Sequence, residues 1–158
     1  MIVRTETTAD HAAIRAVNQA AFGTPAEADL IEALRADGSV LLSLVAGEPV
    51  AGHILFSRIH IAETPAVALA PLAVTPASQR QGIGSQLVRH GLDLLHRANE
   101  RIVLVLGHPD YYPRFGFTQA GPALEHPFPR EVFMTLALTP NALDGVRGRV
   151  IYPPPFGI

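Results

Sequence analysis

The chain has 158 residues, 48% hydrophobic and 16% charged, with a formal net charge of −2 and no cysteine. One domain spanning residues 1–158 is expected, and no disulfide, thiolate metal site or cysteine nucleophile is available to it. Charge and hydropathy supply no basic face for nucleic acid, no apolar run of the ~20 residues a membrane span needs and no signal peptide, so a cytoplasmic protein is expected.

Residues Ile2 to Thr5 read as a short strand. Thr8 to His11 then supply capping residues, and Ile14, Val17 and Ala21 recur at helical spacing as far as Phe22. Gly23-Thr24-Pro25 breaks the pattern. A second helix is predicted from Ala26 to about Ala36, with Leu30, Ile31 and Leu34 on one face and Asp37-Gly38 as its stop. Val40–Ala46 and Val50–Ile61 are β-rich runs separated by the turn residues Gly47-Glu48-Pro49.

The run Val67–Val74 is apolar throughout, as in a central strand covered on both faces. Pro71 inside it cannot donate a ladder hydrogen bond, so it marks a bulge or a point where the strand parts from its neighbour. The next helix carries Ile83, Leu87, Val88, Leu92, Leu95 and Ala98 along one face. Ile102–Leu106 is a further buried strand, ended by Gly107-His108-Pro109, with a short turn or helix through Tyr111-Tyr112 to Gly116-Phe117. Residues 119–130 are irregular, Val132–Leu138 reads as a strand, and Val150–Tyr152 as a last one before three prolines that form a rigid tail. The order β-α-α-β-β-β-α-β-α-β-β makes a mixed α/β sheet.

Between strand and helix stands Ser78-Gln79-Arg80-Gln81-Gly82-Ile83-Gly84-Ser85. Amides in such a loop and first helical turn have no intrahelical partner and point outward together, where they can hold a phosphate. No lysine follows, so this is not a mononucleotide P-loop, and Leu87 stands where the dinucleotide fingerprint needs its third glycine. Taken alone, the stretch leaves two readings open: a phosphate cradle, or a plain helix start eased by glycine.

Gln79 to Gly84 resembles the Gln/Arg-x-x-Gly-x-Gly/Ala signature of the GNAT superfamily of N-acetyltransferases. Pro71 to Pro76 resembles that family's cofactor strand, and Tyr112-Pro113-Arg114-Phe115-Gly116-Phe117 its Tyr-x-x-x-Gly-Phe segment. The resemblance, in order and spacing, implies a central splayed, mostly antiparallel sheet flanked by helices. It implies acetyl-CoA as cosubstrate, with pyrophosphate against Gln81, Gly82, Ile83, Gly84 and Ser85, and Arg80 adding charge. The pantetheine arm is expected along Leu72, Ala73 and Val74, and Tyr112 and Phe115 beside the cofactor. Tyr112 matches the family's tyrosine near the CoA sulfur, where a phenol can hand a proton to the departing thiolate.

Direct transfer to a primary amine of a small molecule or peptide follows, with an amide of Ala73 or Val74 on the thioester oxygen. A non-catalytic acyl-CoA-binding or sensing module is the alternative. Glu27, Glu32, Glu63, His53, His60 and His108 lie in segments able to line the acceptor cleft. No metal site is expected, because the seven histidines include no His-Glu-x-x-His and His90 and His96 fall on different helix faces. A monomer or homodimer is expected.

Overall fold

Hydrophobic periodicity organises the protein into nine strands and three α-helices in the computed structural model, which describes residues 1–158. Strands β1 (Val3–Thr5), β2 (Val40–Ala46), β3 (Gly52–Ile61) and β4 (Thr64–Val74) pair antiparallel in that order. Strand β5 (Ile102–Leu106) joins β4 in parallel, and β8 (Phe133–Ala137) continues antiparallel on the far side of β5. The two-residue strands β6 (Thr118–Gln119) and β7 (Leu124–Glu125) pair with β8 and with β9 (Gly148–Ile151), and β9 also closes on the end of β3 at His60 and Ile61. The sheet is thus mixed and mostly antiparallel. No helix is long and apolar enough to cross a membrane.

Strand alternation sends successive side chains to opposite faces. Leu44, Ile54, Phe56, Val67 and Val103 face α3 (Ile83–Arg97), which covers them with Ile83, Leu87, Val88, Leu92 and Leu95. On the other face Val45 and Leu55 meet Ile14 of α1 (His11–Phe22) and Ile31 and Leu34 of α2 (Ala26–Asp37). Further along that face, Ile59, Ala66, Ala68 and Leu104 pack with Phe133, Val150 and Phe128.

Several boundaries differ from the sequence reading, each through a nonlocal cause. Val50 belongs to the turn, and β3 starts at Gly52 where pairing with Ala46 and Val74 begins. Ala98 caps α3 from outside the helix. The short turn or helix expected after β5 is a 3-10 turn over Tyr112–Phe115, while β6 at the start of the stretch read as irregular, and β7 inside it, arise because β8 and β9 offer them free edges.

The feature that builds a cleft is the parting of β4 from β5. Their pairing stops at Leu69 and Val105. Between Ile54 and Phe56 of β3, strand β4 carries one extra residue, Leu72 pairing with Ile54 and Leu69 with Phe56. The bulge falls at Ala70-Pro71, where the sequence places the proline. Beyond it β4 stays with β3, β5 stays with β8 at Leu106 and Phe133, and the outer edge of β4 from Leu72 to Val74 is left without a strand partner.

Candidate active site

A cavity of about 1220 Å³ occupies this gap and runs from the start of α3 through the sheet towards α1, α2 and the C-terminal segment. At one end lies the glycine loop. The first helical hydrogen bond of α3 is donated by Gln86 to Gly82, so the amides from Gln81 to Ser85 have no backbone acceptor. Gly82 has φ +84°, a left-handed conformation that glycine adopts without a Cβ penalty, and nothing would crowd a Cβ there. A Cβ on Gly84 would stand 3.3 Å from the Tyr111 hydroxyl and 3.8 Å from Leu72 and Val74, so the two glycines serve different purposes. Gly82 permits the turn, and Gly84 keeps open the space between helix start and strand edge. The Gln79 side chain ties the loop to β4 by donating to the Val74 carbonyl at 3.0 Å.

The register of β4 decides which of its amides are free. Thr75 N–H donates to Ala51 O, so the hydrogen-bonded pairs alternate through Thr75–Ala51 and Ala73–His53. The main-chain groups of Leu72 and Val74 therefore turn to the open edge. Of the two amides expected at the thioester oxygen, that of Ala73 faces β3 and that of Val74 faces the gap; Leu72 shares its orientation.

Leu72, Val74, Arg80, Gly82, Ile83, Gly84, Ser85 and Tyr112 line the cavity. Ala73 is buried, and the Gln81 side chain is exposed outside the cavity wall. Phe115 also stands back from the wall, edge-on to Tyr111 with ring centroids 5.2 Å apart and the Arg89 guanidinium 4.8 Å over its face.

The adjacent tyrosines have separate environments. Tyr112 is 8% exposed, packed edge-on to Tyr111 at 5.1 Å and to Phe117 at 5.7 Å. Its ring lies against Gly107, where a Cβ would come within 2.3 Å of it. The Tyr112 hydroxyl has no hydrogen-bond partner in the chain, and burial holds its pKa above the ordinary phenol value. Tyr111 reaches the glycine loop instead, its hydroxyl 3.0 Å from Ser85 Oγ and its ring beneath the Arg114 guanidinium at 4.5 Å. In the sequence, proximity to the Tyr-x-x-x-Gly-Phe segment is the one signal that Tyr111 carries.

Of the six acid–base candidates, Glu27 and His108 line the cavity. Glu32 faces outward to Arg15 at 2.8 Å, while His60 and Glu63 lie at the far end of the β3–β4 hairpin. His53 is fully buried beneath α1, with Nδ1 3.2 Å from Asn18 Nδ2 and Nε2 2.9 Å from Ser43 Oγ. Asn18 Nδ2 also donates to the Ile14 carbonyl, which fixes its amide orientation and makes His53 Nδ1 an acceptor. Nε2–H then donates to Ser43, whose hydroxyl donates to Glu6. Burial lowers the His53 pKa to about 4, with the Arg35 guanidinium adding to the effect. His53 is a neutral structural group, away from the cleft. No group of three or more histidine, aspartate or glutamate side chains is arranged to hold a metal ion.

The comparisons with known proteins agree with this geometry. Residues 37–119 match the model of the GNAT acetyltransferase domain family. The uncharacterized N-acetyltransferase YhbS of Escherichia coli K12 is 36% identical over 160 residues, covering 96% of each chain. YjhQ of the same organism, also an uncharacterized N-acetyltransferase, is 39% identical over 154 residues, covering 86% of this chain and 84% of its own. The crystal structure of E. coli YhbS in complex with CoA superposes with a TM-score of 0.93 at 35% identity, covering 99% of this chain and 92% of that one. A GNAT family acetyltransferase from Brucella melitensis in complex with acetyl-CoA gives 0.84 at 37% identity, over 98% and 97% of the two chains. A free strand edge, unpaired amides at a helix start and a through-sheet cleft thus occur in a sequence that matches this family over most of its length, and the chain belongs to the GNAT superfamily of acetyltransferases.

Proposed function

We propose that this acetyltransferase moves an acetyl group from acetyl-CoA directly to a primary amine held with it in the cleft. The observation that carries the reading is the opening between β4 and β5, bordered on one side by the main-chain groups of Leu72 and the free amide of Val74 and ending at the unpaired amides of Gln81 to Ser85. Those amides and Arg80 fit a pyrophosphate, with the helix dipole adding positive potential. The strand edge fits the amide-bearing pantetheine arm.

Acetyl-CoA supplies an activated thioester. The amine nitrogen bonds to the acetyl carbon, the carbon–sulfur bond breaks, and the amine loses a proton as the amide forms. A main-chain N–H of β4, that of Val74 or Leu72, is oriented to stabilise negative charge on the carbonyl oxygen. Tyr112 stays a neutral phenol, because burial raises its pKa above the ordinary ~10. A simple thiol has a pKa near ~8.5, so outright proton transfer from Tyr112 to the thiolate runs uphill. Tyr112 therefore serves as a hydrogen-bond donor to sulfur while the charge develops. Glu27 and His108, in the same cavity, are the groups placed to take the amine proton, directly or through water.

The test is labelled acetyl-CoA with and without an amine, followed by intact-protein mass measurement and calorimetry. Acetyl-CoA should bind, the label should appear on the amine, and the protein mass should stay unchanged without acceptor. A chemically competent acetyl-protein adduct would overturn direct transfer. Binding without turnover of any amine would favour the sensing module.

A further inference from the structure

We infer that the acceptor is a small primary amine carried on an aromatic or comparably bulky apolar body. The inference rests on the acetyltransferase reading and extends it to the substrate class. Where the cavity passes through the sheet towards α1 and α2, its wall changes character. The phosphate end has Arg80 and Arg114; the opposite end has Phe22, Leu30, Phe128, Tyr152 and Phe156.

The rings are organised by mutual packing. Tyr152 meets Phe128 at 5.8 Å with planes 84° apart, and Phe156 at 5.0 Å with planes 62° apart. Phe128 stacks in turn on Phe133 of β8 at 5.4 Å. Phe156 is anchored against the α1–α2 core, so the C-terminal segment closes this end of the cleft. Edge-to-face surroundings of this kind receive a further ring in the same geometry. The Tyr152 hydroxyl has no partner in the chain, and the side chain lines the cavity, which leaves one polar contact for a substrate atom.

Charge sets the number of cationic groups. The cavity has two side-chain carboxylates, Glu27 from the start of α2 and Asp110 from the loop after β5. Asp110 lies next to Tyr111 at the phosphate end, where only its main-chain carbonyl meets Arg114, at 3.4 Å, whereas Glu27 opens α2 beside the aromatic end, its carboxylate meeting only the Thr24 hydroxyl at 3.3 Å. At the aromatic end Glu27 is the one side-chain carboxylate of the cavity, which matches one ammonium, and ring faces add to its attraction. A polyamine or aminoglycoside would leave further ammonium groups against apolar surface without counterions, which is costly.

The experiment compares 2-phenylethylamine with spermidine, kanamycin and an alanine-terminated peptide on the full chain. Thiol release gives kcat/KM, and calorimetry on the CoA-bound protein gives amine Kd. The arylalkylamine should exceed each of the others by about tenfold or more in kcat/KM, a difference of about 1.4 kcal/mol. Tyr152→Leu and Phe156→Leu, which keep apolar packing, should raise its Kd about fivefold or more while acetyl-CoA affinity is unchanged. A preference for spermidine, kanamycin or the peptide overturns the inference alone; inertness of every amine in a protein that binds acetyl-CoA favours the sensing module and overturns the acetyltransferase reading together with this inference. Failure to bind acetyl-CoA is a distinct result that overturns the acetyltransferase reading and this inference with it.

Discussion

Tyr111 and Tyr112 are neighbours in the chain and differ by which groups surround each hydroxyl. Tyr112 projects a hydroxyl with no protein partner from a buried ring, whereas the Tyr111 hydroxyl is engaged by Ser85 at the edge of the glycine loop. Tyr112→Phe preserves the ring packing against Phe117 and Gly107 and removes only the donor. A donor that acts mainly as charge gathers on sulfur should lower kcat and kcat/KM together, by about 10- to 100-fold, with little change in acetyl-CoA Kd. Tyr111→Phe should raise KM for acetyl-CoA through the loosened loop and leave kcat nearly intact. Steady-state kinetics of the two variants check the assignment; identical behaviour would place both tyrosines in one packing role. Because burial raises the Tyr112 pKa, its protonated form persists to higher pH, and loss of activity above the amine's own titration should not begin at the ordinary phenol value.

At the scale of the element, the strand–loop–helix unit from β4 to α3 brings two unlike binding edges together. The Gln79–Val74 hydrogen bond closes the loop onto the strand, and Gly84 leaves the space between them empty. Gly84→Val fills that space near Tyr111 and Val74, so acetyl-CoA affinity should fall about tenfold or more, ~1.4 kcal/mol, as read by calorimetry on the folded variant. Gly82→Ala is a different perturbation. Its Cβ meets nothing, but the left-handed φ of +84° is strained for alanine, so the expected cost is about 1 kcal/mol of stability with a smaller effect on binding. Unchanged affinity in Gly84→Val would remove the pyrophosphate from this loop.

Across the whole molecule, the cleft depends on a polar network that it does not touch. Glu6 after β1, Asn18 of α1, Arg35 of α2, Ser43 of β2 and His53 of β3 form one connected set, with His11 also on Glu6 at 2.9 Å. It fixes both helices against the sheet and so positions Phe22 and Glu27 at the cavity. Protonating His53 would turn Nδ1–H towards the Asn18 amide and charge a fully buried site. Its folded pKa of about 4 lies below the unfolded value of 6.5, so between these values the unfolded chain binds the extra proton. Stability contributed by neutral His53 is therefore full above pH ~6.5 and is lost as pH falls towards ~4, by on the order of 3 kcal/mol. Glu6, held ionised mainly by Arg35 and Ser43 against the opposing effect of burial, has a lowered pKa and shifts stability in the same direction on acidification. Urea unfolding from pH 7.5 to pH 4.5 should show this decline, and a His53→Gln variant should flatten it. An equally steep profile in the variant would assign the decline to other groups.

Much of this protein was legible before any tertiary contact was known, for a local reason. Burial repeats with the period of the element, so Ile83, Leu87, Val88, Leu92 and Leu95 declare the covered face of α3, and the unbroken apolar run of β4 declares a central strand. The absence of cysteine and the Gly82–Gly84 pair after that strand are likewise properties of the chain itself; the first bounds the chemistry, and the second marks a candidate anion site. What the sequence leaves open is set by partners distant along the chain. The two-residue strands β6 and β7 exist because β8 and β9 present edges to them. The orientation of the Leu72 and Val74 amides follows from registry with β3, and the choice of Glu27 and His108 over Glu32, Glu63, His53 and His60 follows from which segments the parted strands expose. The aromatic end of the cleft joins Phe22, Phe128 and Tyr152 across more than a hundred positions. Periodicity reports whether a side chain is buried; only the order of strands in the sheet decides beside what.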